Sequence, residues 1–228
     1  MFDVVVLKKF YSEISNPAGV GIDDFQNELE FLFSKDRSDQ DLNDYRLGRG
    51  VWKKLRDEIT PVSRFLKFYS PDMDHVRFPL DDKIPDCWLL KDGSKDVGIE
   101  VTIERGRERY HRTKEMNETG IGRGFIGVQD DEEQEAFDRH MARPRIMYTT
   151  EQALNAVEQG ILRCLSRKND SKYEGVHYLL IQTDLSILSP KNWETIKKEL
   201  TQETVSLPFQ EVHVIGSADE KPYGFQLK

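Results

Sequence analysis

Apolar and polar positions follow two different rhythms along this chain, and the change of rhythm divides it. In GIDDFQNELEFLFSK, residues 21–35, Phe25, Leu29 and Leu32 recur at helical spacing after an acidic first turn, which predicts an amphipathic helix. A polar break over 36–43 follows. Val51, Trp52 and Leu55 predict a second helix, and Thr60-Pro61 reads as an N-cap with proline at the first position of a third. Residues 1–70 are therefore expected to be mainly helical.

From His75 the period falls to two, in HVRFPL, DCWLL and VGIEVTI, with turn residues between the runs, so a three-stranded meander is expected. Residues 104–147 form a long polar segment with scattered glycines and the acidic run Asp130 to Glu133, and its lack of period predicts a mobile insertion or functional loop. Thr149 and Gln152 then have capping-box spacing, and Leu154, Val157, Ile161 and Leu165 make one stripe, predicting a helix over 151–167. VHYLLIQ, residues 176–182, reads as a buried strand, 190–200 as a helix, and EVHVIG and YGFQL as two closing strands. The order predicts an α/β fold.

A hairpin turning through Asp92-Gly93-Ser94 puts Asp86 directly opposite Glu100, with Cys87 and Leu89 facing Ile99 and Val97. Opposed side chains have β-carbons about 4.5–5.5 Å apart on one face. That register predicts an apolar face toward the core and a polar face carrying both acids, whereas a one-residue slip would separate them. Two carboxylates on rigid strands suit a hard divalent cation such as Mg²⁺ or Mn²⁺. Spacing alone equally allows two acids on a solvated sheet face.

Charge and composition narrow the classes. With a net charge of −8 the chain is a poor indiscriminate nucleic-acid binder, although an acidic total is compatible with one basic face. The apolar runs Val4 to Leu7 and Tyr178 to Ile181 are too short for a bilayer, and Asp3 interrupts any signal sequence, so a cytoplasmic protein without a membrane partner is expected. Cys87 and Cys164 lack the spacing of a disulfide framework or zinc site and read as small buried residues. Gly122, Gly124 and Gly127 match GxGxxG without the flanking strand and helix, which leaves a flexible loop. His177 and His213 fall in strands and read as structural.

The segment PDCWLLKDGSKDVGIEVT, residues 85–102, resembles the PD-(D/E)xK nuclease superfamily through Pro85-Asp86, the gap to Glu100 and the strand IEVT. The helix over 151–167 and the strand VHYLLIQ follow in the family's order. The resemblance implies a restriction-endonuclease-like core of helix, three-strand meander, crossover helix and strand. It implies one nuclease-like domain over 1–228, with a helical part at 1–70, a core at 75–185 containing the insertion 104–147, and a helix and strands at 186–228. Asp86 and Glu100 would hold Mg²⁺ or Mn²⁺, joined by an acid from the N-terminal helices, Glu58 first and Glu28 or Glu30 otherwise.

Thr102 stands where that pattern has lysine, and a neutral hydroxyl lacks the lysine's charge. It could position the attacking water by hydrogen bonding, while a second metal or a residue elsewhere supplies the rest, with Lys95, Arg105, Lys114 and Gln152 as candidates. Arg105, Arg107, Arg109 and Lys114, interleaved with Tyr110 just after the presumed catalytic strand, are candidate phosphate contacts, and Gln152 joins them as a candidate substrate contact. The expected function is metal-dependent hydrolysis of DNA phosphodiester bonds, with a homodimer favoured where both strands are cut. The alternative is a nuclease-like module that has lost catalysis and binds nucleic acid or protein.

Overall fold

The computed structural model describes residues 4–69, 71–122, 124–143, 149–217 and 224–228. Arg123, residues 144–147 of the insertion and Tyr223 of the last predicted strand lie outside them. The architecture is α/β. Its seven-stranded sheet runs in chain order: β1 (Val20–Gly21), β2 (His75–Arg77), β3 (Cys87–Leu90), β4 (Val97–Ile103), β5 (Tyr178–Thr183), β6 (Glu211–Gly216) and β7 (Gly224–Gln226). β1 to β4 are antiparallel, β4, β5 and β6 are parallel, and β7 returns antiparallel.

The helical first part is present as α1 (Val4–Ile14), α2 (Ile22–Ser34), α3 (Asp39–Leu47), α4 (Trp52–Lys54) and α5 (Thr60–Tyr69). α3 occupies much of the expected polar break. Few of its residues are buried, but Ser38 caps it by accepting from Asp41 N, and Gly48 closes it in a left-handed conformation. Thr60 is not an N-cap, because its backbone is helical and continues the preceding turn. α4 runs into α5 through a π-helical turn, Leu55–Ile59, in which Thr60 N bonds the carbonyl of Leu55 and Thr60 Oγ1 donates to the same oxygen. Pro61, which offers no N–H, follows that lengthened turn.

One core packs α1, α2 and α5 against Val76, Leu89, Ile99, Val101 and Leu180 on the first face of the sheet. A second packs α8 (Thr150–Lys168) and α9 (Pro190–Thr204) against Leu179, Ile181, Val212 and Val214 on the other. The expected polar face of β4 is therefore not solvated, and Gly98 through Thr102 are all buried. The parallel crossover lays α8 over it.

The polar segment after β4 is also more ordered in form than its pattern suggests, since it contains α6 (Gly106–Thr119) and α7 (Gln134–Met141). α6 carries charge on every side, so no apolar stripe announces it. It is held instead by Asp130, which accepts from Gly106 N and Arg107 N, and by Arg112–Glu108 and Lys114–Glu118 pairs one turn apart. Cys87 and Cys164 are buried free thiols, and among the described residues no helix is long and apolar enough to cross a membrane.

Candidate active site

The hairpin has the expected register, pairing Cys87 with Ile99 and Leu89 with Val97, and Gly93 takes φ 74° at its tip. Asp86 follows in that register opposite Glu100, and its Oδ2 accepts from Val101 N at 2.9 Å. The backbone therefore fixes the carboxylate at the mouth of β3.

α8 descends over β4 in the opposite sense, and two spacings match. Residues four apart on a helix rise about 6 Å. Residues two apart on a strand rise about 6.6 Å. Lys168, Cys164 and Gly160 thus meet Glu100, Thr102 and Glu104 rung by rung. Lys168 Nζ lies 2.6 Å from Glu100 Oε1 and 3.1 Å from the Tyr173 hydroxyl. Thr102 faces the Cys164 thiol, which donates to the Ile103 carbonyl and which burial pushes up in pKa. Gly160 leaves room for Glu104, whose Oε1 an added β-carbon would run into.

Glu58, on the π-helical turn, joins Asp86, Glu100, Thr102, Lys168 and Tyr173 in lining a cavity of about 680 Å³. Burial pushes the Asp86 carboxyl up to about 7, and the charges of Glu100 and then Glu58 add to that shift. Burial also raises Glu58, against the opposing ammonium of Lys54 at 2.9 Å. For Lys168, burial alone would favour the neutral amine, but the hydrogen bond and charge of Glu100, then Tyr173, hold its pKa above the ordinary lysine value. Lys168 is therefore an ammonium, with 13% of its side chain exposed, inside an acidic cavity.

Two observations of the cavity fit a divalent cation. Among the described residues Glu100 Oε2 is buried without a hydrogen-bond partner. The charges of Glu100 and Glu58 also add to the rise that burial imposes on Asp86, a repulsion that a cation between them would relieve. Among the described residues no group of three or more His, Cys, Asp or Glu side chains is placed to hold an ion, so Asp86 and Glu100 would hold it with water completing the shell.

Other sequence candidates stand elsewhere. Arg105 is buried, pairs with Glu104 through Nε and Nη2, and packs over Phe125. Arg107 donates to the Asp130 and Glu132 carbonyls and to Gln134. Arg109 donates to Gln182 at 3.0 Å. Lys114 is exposed beside Glu118, and Lys95 is exposed in the hairpin turn. Gln152 completes the capping box at the start of α8, 16 residues and about 24 Å of helix from Lys168. Glu30 pairs with Lys67, and neither it nor Glu28 lines the cavity.

The cation of the cavity, Lys168, escaped the sequence reading. Its signal was a lysine continuing the buried stripe Val157, Ile161, Cys164 at the next helical position. Lys53 and Arg167, both on the cavity wall, are further basic groups outside the expected cluster. No protein-family model, curated protein or solved structure matches this chain.

Proposed function

We propose that this chain is a metal-dependent phosphodiesterase acting on DNA, with a core of the PD-(D/E)xK kind in which Lys168 does the work of the missing motif lysine. The observation that carries this reading is the salt bridge between Lys168 and Glu100, 2.6 Å long, in a cavity shared with Asp86. The element order α5, β2, β3, β4, α8, β5, with β4 and β5 parallel, supports it.

Asp86 and Glu100 would hold Mg²⁺ or Mn²⁺, which supplies Lewis-acid polarisation of a phosphoryl oxygen. Asp86 is kept in place by Val101 N, so its carboxylate needs little rearrangement to bind. Lys168, anchored by Tyr173, can donate to the attacking water or to a non-bridging phosphate oxygen and stabilise the charge that develops there. Thr102, buried beneath α8 and beside Cys164, has a packing role. Lys53 and Arg167, exposed at the cavity wall, are the basic groups best placed for the phosphates on either side.

The absence, among the described residues, of a three-ligand acidic group favours one rival, a nuclease-like module without catalysis that binds nucleic acid or protein. Cleavage of plasmid and single-stranded DNA with Mg²⁺ or Mn²⁺ separates the two. Metal-dependent cleavage lost in Asp86→Ala and Glu100→Ala is the expected result. A folded wild-type protein inert on both substrates sinks the nuclease reading.

A further inference from the structure

The carboxyl ends of the parallel strands β4, β5 and β6 border a second cavity, of about 240 Å³. Such strand ends are where open α/β sheets receive ligands. Among the described residues its wall holds two buried donors without acceptors. Arg105 spends Nε and Nη2 on Glu104, while its Nη1 lies 3.8 Å from Glu108 Oε2, beyond hydrogen-bonding reach. Gln182, 1% exposed, accepts from Arg109 through Oε1 and leaves Nε2 without a partner.

Of the three acids on the cavity wall, Glu104 and Glu108 are already committed, and Asp184 accepts from Ser186 through Oδ1. Glu108 takes the amides of Ile126 and Val128, and Glu104 takes Arg105 and the Thr183 hydroxyl. Buried donors are rarely left unpaired in proteins, so an acceptor from outside the chain is called for. Arg105 also sits at φ 48°, a left-handed conformation that costs a non-glycine residue energy and tends to persist where function needs it.

We propose that this cavity binds the phosphate group of a small phosphorylated ligand, with Arg105 Nη1 and Gln182 Nε2 donating to its oxygens. Glu104 occupies the Nε/Nη2 edge of Arg105, so the unpaired donors, Arg105 Nη1 and Gln182 Nε2, stand on separate elements rather than side by side in one plane as a carboxylate prefers. Single donors arriving from separate elements suit a tetrahedral oxyanion better. Ile103, Met116 and Ile187 offer apolar contact to whatever carries the phosphate. The carrier is either a free nucleotide-like molecule or the phosphorylated end of a nucleic-acid strand.

NMR titration of the isotope-labelled full chain tests this, with inorganic phosphate, AMP, and a trinucleotide bearing either a 5′-phosphate or a 5′-hydroxyl. Saturable shifts of the Gln182 side-chain amide and Arg105 Nε with phosphate are expected, and Gln182→Glu should weaken binding about tenfold or more. If that variant does not fold, Arg112→Gln on the cavity wall should weaken binding, with circular dichroism checking that α6 survives the loss of its Glu108 pair. Tighter binding of AMP identifies a small nucleotide. Preference for the 5′-phosphorylated trinucleotide over AMP and over its 5′-hydroxyl form identifies a strand end. No saturable shift with any probe up to about 10 mM, or binding unchanged in both variants, overturns the proposal. The readout is binding, so it is independent of DNA cleavage.

Discussion

Glu100 on β4 and Glu104 just past its end lie four residues apart, face the same helix, and are both nearly inaccessible, yet they are built for opposite purposes. Glu104 is saturated: Arg105 grips both its oxygens, Thr183 donates to one of them, and Gly160 gives it space. Glu100 is engaged through Oε1 alone, by Lys168, and its Oε2 is a buried acceptor without a donor beside the raised carboxyl of Asp86. A carboxylate whose partners are all supplied by the chain is structural. One that the fold leaves incomplete has room for a ligand.

Substitutions can break this contrast. Glu104→Ala, which leaves the buried Arg105 with only Glu108 at 3.8 Å, should cost about 3–5 kcal/mol in chemical denaturation. A loss under about 1 kcal/mol would show that the pair is not the anchor described here. Gly160→Ala should cost about 1–3 kcal/mol, because its β-carbon would run into Glu104, and a neutral result would mean that α8 sits farther from β4. Glu100→Gln keeps the shape and gives Lys168 a neutral acceptor. Its stability should change by less than that of either preceding variant, while any affinity for Mn²⁺ measured by calorimetry disappears.

The proton uptake of Asp86 sharpens the contrast further. Its carboxyl is raised from 3.8 to about 7 in the folded chain, so between those values the native state binds a proton that the unfolded state does not. The resulting stabilisation is fully present below about 3.8 and is lost as pH rises through about 7. Without divalent ions, stability should therefore fall from pH 5 to pH 8, and Asp86→Asn should flatten that slope. Millimolar Mg²⁺ at pH 8 should recover the loss in the wild type alone. Thermal melts that show the same slope in Asp86→Asn would assign it to another group.

Much of this arrangement was legible in the sequence, because period-two alternation and a glycine turn set the register that opposes Asp86 to Glu100, and a capping box opens α8 at Thr149. What the sequence hid has a common physical form. α6 has no apolar stripe because local ion pairs and Asp130 sustain it. Arg105 and Glu104 look like solvated loop charges until the sheet and α6 close over them. Lys168 lies 68 residues from Glu100, and their meeting depends on the tertiary path of the crossover helix. Local pattern identified the carboxylates, whereas the cation between sheet and helix needed the fold.

The most direct test of the central claim is single-turnover DNA cleavage by wild type, Lys168→Met and Thr102→Val, each confirmed folded. The account predicts metal-dependent cleavage by the wild type, a loss of about 10²–10⁴-fold in Lys168→Met, and nearly full activity in Thr102→Val. Equal loss in both variants, or full activity in Lys168→Met, would contradict the assignment of the lysine's role to α8.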